Sequence, residues 1–553
     1  MTPGRPLLPI LLLTFVPVAR GADEDEIARH ATTLKQAALN TDGPALLEFF
    51  RKRTPNAADA QRLARAVGRL GDADFEVREQ ASRELIASGR LAVALLRPAL
   101  EDADPEVARR ARECLEIIEQ VPESSLVLAA AGLLAVRCPD GAAQALLDYL
   151  PVVDDPFVED EFLASLTALA VRDGRPDDLL IRTLKAGAPA RRAAAALILG
   201  RLGVGHRAAV RPLLADVDGR VRFRAAEGLL RGGDKQAVPA LLALLADGPL
   251  DVASSAEDLL FRLGGERSPV VTLGGATPAE RAKARETWAS WWRDRGADVD
   301  LGAIEWEQRS LGLTLIVATN GYGANGRVWE IGPNRKTRWE QRNVGGPFDA
   351  VILPGRRLLV AEYSALRVTV RDHDGQVLWQ HKVENPPLLC HPLPGGGVLI
   401  ATNNHIMEVT REGNRTVLHT DPKGTIFSAQ RLRNGNLLYG TYTGELVELD
   451  RAGKQVRRLS FPRPEQGLVT VEVLPGGRFL IPLTSQGRIV ELDAGGKIVW
   501  EQSVSNPTTA VRLPNGHTLV GSHRTNRVVE LDRAGKVVWE EKVDGQIFRV
   551  RYR

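Results

Sequence analysis

A unit of about 40 residues recurs through the second half of the chain, and this recurrence limits how that half can fold. Trp339 and Trp379 are separated by one such period, and so are Trp500 and Trp539. The interval from Trp379 to Trp500 corresponds to three more periods. Within each unit, apolar and polar residues alternate between glycine-containing turns, which is the pattern of short β-strands. Four short strands in a period of this length are typical of one propeller blade.

Hairpin turns inside the repeat support this assignment. An aspartate and a glycine recur in RDHDGQVLW, LDRAGKQV, LDAGGKIVW and LDRAGKVVW. The aspartates are predicted to form turns and not to bind calcium, because no Asp-x-Asp-x-Asp-Gly loop is present. They are Asp374, Asp450, Asp493 and Asp532.

The number of blades follows from the first strands of the units. These strands are predicted to begin near Phe348, Leu388, Phe427, Val469 and Thr508. The earliest unit lacks such a strand, and the segment Ile547–Arg553 (IFRVRYR) has the sequence of the missing one. Pairing of this segment with the earliest unit closes a ring and removes its open edges. The sequence therefore predicts a six-bladed β-propeller closed by the C-terminal strand.

The first half of the chain has a helical period. Val77, Ala81 and Leu85 are spaced i, i+4, i+8, as on one face of a helix. The same motif starts again at Val107, about 30 residues later. Two further copies start at Val221 and Val252, and the interval between them is similar. Repetition of a two-helix unit at this period indicates a stacked array. Upstream acidic residues are predicted to cap the helices, namely Asp74, Asp104, Asp218 and Asp251.

With these motifs, residues 70–265 resemble HEAT-type repeats of the short, roughly 30-residue kind. The segment 120–180 departs from the pattern. The resemblance implies a curved α-solenoid that offers an extended surface to a protein partner, and it implies no chemistry. A helical bundle without regular stacking is the alternative.

A tryptophan-rich segment joins the two halves. Thr277, Pro278 and Glu280 form a capping-box pattern that predicts the start of a helix. Trp288, Trp291 and Trp292 follow on one face of that helix. Packing between the two modules is the favoured interpretation, because large aromatic side chains dominate buried contact area. A tryptophan cage for a ligand is the alternative.

The N-terminal sequence predicts export. Arg5, an apolar run from Leu7 to Val18 and small residues at 19–22 have the order of a secretory signal peptide. A retained membrane anchor is the alternative. The predicted domains are a signal peptide (1–22), a helical repeat domain (23–270), a linker with the tryptophan helix (271–305) and the propeller (306–553). We expect a periplasmic, surface or secreted protein that is not integral to the membrane after processing.

Composition excludes some classes of function. The formal net charge is only +3, so the sequence gives no electrostatic basis for nucleic-acid binding. Cys114, Cys138 and Cys390 lack the spacing of a metal site, and no phosphate-binding loop or hydrolase motif is present. We expect no metal and no cofactor.

Polar and aromatic residues collect at one end of the predicted propeller. This end carries the loops between second and third strands and the connections between blades. A ring of such residues fits a sugar, a peptide or a small molecule. The predicted ligand-binding residues are Asn320, Tyr322, Tyr363, His391, Asn403, His405, Tyr442, His523 and Arg524.

Sequence motifs of the predicted propeller resemble those of two further families. LDAGGKIVWE is similar to the tryptophan-docking motif of quinoprotein propellers. This resemblance implies a packing role for the repeated tryptophans. The turn is one residue shorter than in that family and adjacent cysteines are absent, which argues against a bound quinone cofactor. The six blades also look like arylsulfotransferase-like propellers, which use central histidines. We therefore expect a non-catalytic binding and scaffold protein. The alternative is an arylsulfotransferase-like or lyase-like enzyme that uses His391, His405 or His523.

Overall fold

The computed structural model of the protein describes most of the chain. The described residues are 24–100, 102–119, 124–153, 156–273, 277–304, 306, 311–320, 326–353, 356–393, 397–410, 413–432, 434–464 and 470–553. The predicted signal peptide and the candidate site residue Tyr322 lie outside these ranges. Within them, no helix is both long and apolar enough to cross a membrane.

The N-terminal half is helical. Its helices are α1 (Glu24–Gln36), α2 (Gly43–Arg53), α3 (Ala57–Gly68), α4 (Phe75–Ala87), α5 (Arg90–Ala99), α6 (Pro105–Glu119), α7 (Ser124–Arg137), α8 (Ala142–Tyr149), α9 (Pro156–Ala170), α10 (Asp178–Thr183), α11 (Pro189–Arg201), α12 (Arg207–Val210), α13 (Gly219–Arg231), α14 (Val238–Asp247), α15 (Leu250–Gly264) and α16 (Pro278–Arg295). A short hairpin of β1 (Val171–Arg172) and β2 (Arg175–Pro176) lies in the segment that departs from the repeat pattern.

Aspartates cap the repeat helices as predicted, with one exception. The carboxylates of Asp74, Asp104 and Asp218 accept backbone N–H groups in the first turns of α4, α6 and α13, at 2.8–2.9 Å. The prediction for Asp251 is wrong. Helix α15 begins at Leu250 with Pro249 as its N-cap, so Asp251 already lies in the first turn.

The helices form two apolar cores. Helices α3–α6 share one core that contains Ala81 and Ala111. The remaining helices share a second, larger core. Helices α11 and α13 are in very close contact at two glycines, since a Cβ atom on Gly200 would lie 2.6 Å from the carbonyl carbon of Gly228. The periodic apolar stripes are therefore buried between neighbouring helices, as the repeat pattern predicts.

The C-terminal half consists of six four-stranded sheets, each of which is one blade. The strands are β3 (Thr314–Thr319), β4 (Gly326–Ile331) and β5 (Thr337–Val344) in blade 1; β6 (Pro347–Leu353), β7 (Arg357–Glu362), β8 (Arg367–Arg371) and β9 (Val377–Lys382) in blade 2; β10 (Leu389–Pro392), β11 (Val398–Ala401), β12 (His405–Val409) and β13 (Arg415–Thr420) in blade 3; β14 (Ile426–Arg431), β15 (Leu437–Thr441), β16 (Glu445–Leu449) and β17 (Gln455–Ser460) in blade 4; β18 (Glu472–Leu474), β19 (Arg478–Leu483), β20 (Arg488–Leu492) and β21 (Ile498–Ser503) in blade 5; β22 (Pro507–Arg512), β23 (Thr518–Ser522), β24 (Arg527–Leu531) and β25 (Val537–Lys542) in blade 6; and β26 (Gln546–Tyr552), which completes blade 1.

The last strand closes the ring. Strand β26 pairs antiparallel with β3, with Val550 opposite Ile316 and Tyr552 opposite Thr314. Blade 1 therefore has the order β26-β3-β4-β5, and its innermost strand comes from the opposite end of the propeller sequence. This confirms the predicted blade count and the predicted closure.

Aspartates shape the outer hairpins, but one was assigned wrongly. The carboxylates of Asp450, Asp493 and Asp532 each accept two backbone N–H groups at 2.9 Å. In blade 2 the residue at this position is Asp372, which accepts the N–H of Gln376, and the side chain of Asp374 is 72% exposed. The error arose because Asp374 and Gly375 form an Asp-Gly pair, which is typical of a tight turn.

The tryptophans pack inside the protein. Trp288 belongs to the larger helical core and makes an edge contact with Phe261, with ring centroids 4.8 Å apart. In the propeller, the Trp500 indole lies under the Arg512 guanidinium and the Trp539 indole under that of Arg335. Trp288 therefore packs within the helical module, and the predicted packing of the tryptophan helix between the two modules stays a prediction. Trp500 and Trp539 are half-buried under the arginines. Phe261 also touches the propeller, because the Arg338 guanidinium lies 3.5 Å from its ring centroid.

Buried ion pairs join the helical module to blades 1 and 2. The Glu257 carboxylate on α15 lies 3.0 Å from the guanidinium of Arg338 on β5, and it also contacts Arg356 in the β6–β7 loop. Next to it, Asp258 lies 2.9 Å from Arg553. The β6–β7 loop and the end of β26 are at the same end of the ring, so the helical module is held against that end.

Candidate functional site

The predicted ligand-binding residues that the structure describes, except His391, belong to the other end of the propeller. This end, which we call the mouth, carries the loops between second and third strands and the connections from one blade to the next. The inner strands β6, β14 and β26 begin there and run toward the end that binds the helical module. The ion pairs with the helical module are thus separated from the mouth by the length of an inner strand.

Four rings form a continuous cluster at the mouth. Tyr363 stacks on Phe348, with ring centroids 3.9 Å apart and planes 11° apart. Phe348 contacts Phe548 at 4.2 Å, and Phe548 makes an edge contact with His523 at 4.9 Å. We call these four residues the mouth aromatic cluster. Through the two phenylalanines it connects two predicted site residues, Tyr363 of blade 2 and His523 of blade 6.

The two phenylalanines were not among the predicted site residues. Phe348 and Phe548 lie at the start of inner strands, in PFD and IFR, and each is bulged out of the strand register. The bulge directs the ring to the mouth instead of into the regular pairing. An aromatic residue at the start of a first strand was the signal that could have identified them.

His523 is oriented by the backbone of the closing strand. Its Nδ1 atom lies 3.3 Å from the carbonyl oxygen of Ile547. A carbonyl can only accept, so Nδ1 carries the proton and Nε2 is left with a lone pair. Burial lowers the pKa of His523, which favours this neutral form. The adjacent Arg524 is exposed.

Tyr442 lies on the same face in blade 4. Its ring is 5.3 Å from that of Phe427, another aromatic residue at the start of an inner strand. Burial raises the pKa of Tyr442 to about 12, and the nearby Tyr363 acts in the same direction. Tyr442 therefore presents a protonated hydroxyl group at neutral pH.

The other predicted mouth residues are dispersed. Asn320 is exposed at the end of β3, beside Gly545. In blade 3 the backbone N–H of His405 donates to Thr402, and the carbonyl of Asn403 accepts from Ile426. The contacts described for Asn403 and His405 do not link them to the mouth aromatic cluster. The described ring contacts therefore join only Tyr363 and His523 of the predicted residues, and the binding of a ligand by the predicted ring stays a prediction.

His391 lies deeper, among charged side chains on the inner strands. The Asp349 carboxylate on β6 is 2.7 Å from the Arg551 guanidinium and 3.0 Å from that of Arg549, both on β26. It also accepts the backbone N–H of Cys390 on β10, at 3.1 Å. Inner strands of three consecutive blades therefore meet at one carboxylate. We call Asp349, His391, Arg549 and Arg551 the axial charge cluster.

The arginines decide the charges of this cluster. Burial alone would raise the pKa of Asp349, but Arg549 and Arg551 outweigh it and hold the pKa at about 2. Burial, together with Arg551, lowers the pKa of His391 to about 3. At neutral pH Asp349 is therefore ionised and His391 is uncharged.

No group of three or more His, Cys, Asp or Glu side chains in the described part of the chain has the arrangement of a metal site. The mouth offers the half-buried Tyr363 ring, the Tyr442 hydroxyl and a His523 nitrogen. Phe348 and Phe548 are only 5% and 2% exposed, so they pack beside these groups. These groups can bind an organic ligand by stacking and hydrogen bonding.

The fold and its repeats define this protein as a helical-repeat protein with a six-bladed β-propeller. Residues 176–260 match the model of HEAT repeats. Residues 442–552 match the model described as outer membrane protein assembly factor BamB. No curated protein matches the sequence.

Solved structures resemble the propeller part of the chain. A protein of unknown function from Bacteroides caccae is 18% identical with a TM-score of 0.36, and the match covers 43% of this chain and 98% of that one. Virginiamycin B lyase from Staphylococcus aureus is 13% identical with a TM-score of 0.32, and the match covers 42% of this chain and 88% of the lyase.

Proposed function

We propose that the protein is an exported, non-catalytic binding and scaffold protein with two working surfaces. The helical module binds a protein partner, and the mouth of the propeller binds a second ligand. The observation that carries this proposal is the position of the buried Glu257–Arg338 pair. It holds the helical module at the end of the ring opposite the mouth, so that both surfaces can be occupied together.

The matches with known families support a protein partner. HEAT-type arrays present extended surfaces made by stacked helix pairs. The BamB model that matches residues 442–552 describes an assembly factor for outer-membrane proteins. A role in bringing proteins together at the cell envelope is consistent with both matches and with the predicted signal peptide.

Chemical cross-linking of the full-length protein in its own cells tests the scaffold role. We expect cross-links from one recurrent partner to residues of α11–α15, where the HEAT repeats lie. Tyr363→Ala in the mouth should leave these cross-links unchanged, because Tyr363 is in the propeller. If partners recovered with wild type do not cross-link to the helical module, the scaffold role is wrong.

Screening of carbohydrates, peptides and small metabolites against the full-length protein tests the second surface. Tyr363→Ala and Tyr442→Phe should each weaken the binding of a hit, the first through stacking and the second through the hydroxyl group. Val538→Ala, on the outer strand of blade 6, is the matched control. A hit that binds equally to all variants would place the ligand elsewhere.

Export is tested by cell fractionation and N-terminal sequencing. We expect the mature protein outside the cytoplasm, beginning close to residue 23. Cytoplasmic protein that retains residues 1–22 would contradict this part of the proposal.

One observation favours an enzyme as the second candidate. The Ile547 carbonyl holds His523 in the tautomer whose Nε2 can act as base or nucleophile. A screen with sulfate ester donors and with lyase substrates would detect such an activity. His523→Ala should abolish it and His405→Ala should not; turnover that survives His523→Ala excludes this role.

A further inference from the structure

The axial charge cluster has more positive than negative charge. Arg549 and Arg551 are cationic, Asp349 is anionic, and the cluster therefore carries two positive charges and one negative charge, a net +1. Asp349 is the carboxylate whose charge acts on both arginines. The other neighbours do not compensate, because burial raises the pKa of the Cys390 thiol and lowers that of His391.

The two arginines keep accessible surface, whereas the carboxylate does not. The Asp349 side chain is 0% exposed, while those of Arg549 and Arg551 are 13% and 27% exposed. Arg551 donates to Asp349 through Nε and Nη2 only. Arg549 contacts Asp349 through Nε, and its Nη groups have no hydrogen-bond partner among the described residues. Several N–H donors therefore remain available on a largely buried, positively charged surface.

The neighbouring Arg512 differs from Arg549 in how its guanidinium donors are used. Arg512 lies on the inner strand of blade 6, next to β26. Its guanidinium lies 2.7 Å from the Glu491 carboxylate and donates to Thr518. Arg512 also shares its carboxylate, because the Arg478 guanidinium lies 2.6 Å from Glu491. Its Nη1 group donates to the Gly516 carbonyl as well, so both Nη groups of Arg512 have acceptors within the fold, whereas those of Arg549 have none among the described residues.

We propose that the axial charge cluster binds a small oxyanion between Arg549 and Arg551. The ligand is a phosphate, sulfate or carboxylate group, whose oxygens match the planar fork of N–H donors on a guanidinium. It neutralises the remaining positive charge and accepts the unfilled N–H groups, while neutral His391 can donate one further hydrogen bond. This site goes beyond the proposed scaffold role, because it operates whether or not a partner occupies the helical module.

Calorimetric titration of the full-length protein with inorganic phosphate tests the proposal, with sodium chloride added to keep the ionic strength constant. We expect saturable binding to wild type. Arg549→Gln removes a cation whose described polar contact in the fold is with Asp349 alone, and it should weaken binding about tenfold or more. Arg512→Gln is the matched control and should bind phosphate as wild type does.

The outcomes separate the proposal from its alternatives. Absence of saturable phosphate binding to wild type overturns it, as does equal binding by wild type and Arg549→Gln. Loss of binding in Arg512→Gln and not in Arg549→Gln would also overturn it. Failure of the partner cross-links has no bearing on these results, so the two proposals fail separately.

A second measurement needs no variant. Crystals of wild-type protein soaked in selenate should show an anomalous peak within hydrogen-bond distance of the Arg549 and Arg551 guanidinium groups. A peak that appears only at other arginines overturns the proposal.

Sugar phosphates then distinguish a free anion from the anionic end of a larger ligand. If glucose 6-phosphate binds more tightly than inorganic phosphate and Tyr363→Ala removes the gain, the oxyanion is the end group of a mouth ligand. Equal affinities indicate a free anion at the same site. Both results require the axial charge cluster.

Discussion

The Glu257 carboxylate lies 3.0 Å from the Arg338 guanidinium, across the contact between helical module and propeller, and both side chains are buried. Arg338 directly precedes the repeated tryptophan of blade 1. In blades 2, 4, 5 and 6 the same position is an exposed aliphatic residue, 49–54% accessible, at Leu378, Val456, Val499 and Val538. One blade has therefore been adapted to bind the helical module through a charge instead of exposing an aliphatic side chain.

Loss of this pair should destabilise the protein strongly. Arg338→Met leaves the buried Glu257 carboxylate with less compensation, which should cost about 3 kcal/mol in the free energy of unfolding. Arg342→Met, on the same strand with a side chain that is 64% exposed, should change it by less than about 1 kcal/mol. Chemical denaturation followed by circular dichroism gives both values. Equal effects of the two substitutions would show that the pair does not hold the modules together.

Asp349→Ala should be among the most damaging substitutions in the propeller. It leaves Arg549 and Arg551 without their carboxylate and removes the acceptor for the Cys390 N–H. We expect a loss of about 3–5 kcal/mol, measured by denaturant titration. Phosphate should restore part of this stability if the oxyanion occupies the vacated charge. A loss below about 1 kcal/mol would contradict a structural role for the carboxylate.

His391 should make the protein sensitive to acid. Its pKa is about 3 in the folded protein, against an ordinary value of 6.5. The unfolded chain therefore binds a proton that the folded protein does not, so stability is present above pH 6.5 and is lost as the pH falls toward 3. His391→Gln should reduce the slope of stability against pH in this window by up to about 1.4 kcal/mol per pH unit. Parallel curves for wild type and His391→Gln would contradict the lowered pKa.

The corrected turn assignment in blade 2 can be tested with a pair of substitutions. Asp372→Ala removes the acceptor for the Gln376 N–H and should cost about 1 kcal/mol. Asp374→Ala changes an exposed side chain and should stay within about 0.5 kcal/mol of wild type. Thermal unfolding of the two variants decides which aspartate shapes the turn.

Closure of the ring by β26 should make its buried residues important for stability. Ile547→Ala truncates a side chain that is 0% exposed and should cost about 2–4 kcal/mol. Val538→Ala, at 49% exposure on an outer strand, should cost less than about 1 kcal/mol. If Ile547→Ala is as stable as Val538→Ala in denaturant titration, β26 is not an integral strand of blade 1.

Local regularities made much of the architecture predictable. The regular spacing of the tryptophans indicated the blades, and the IFRVRYR segment indicated the closing strand. The candidate site was predicted less well. Tyr363 and His523 were identified as polar or aromatic loop residues, but Phe348 and Phe548, which join them, were taken only as parts of strands. A β-bulge turns both rings to the mouth, and a strand pattern does not show where a bulge lies.

Periodicity alone specified the two modules, the blade count and the helix repeats, because these depend on apolar residues that recur at short, regular intervals. Which charges meet was settled only by ring closure within the propeller and by packing between the two modules. Asp349 and Arg551 are 202 residues apart in the chain, yet ring closure brings them into contact. Glu257 and Arg338 are likewise 81 residues apart and belong to different modules. Contacts of this kind depend on the tertiary arrangement of blades and modules, and a local sequence period carries no information about which charged side chains it brings together.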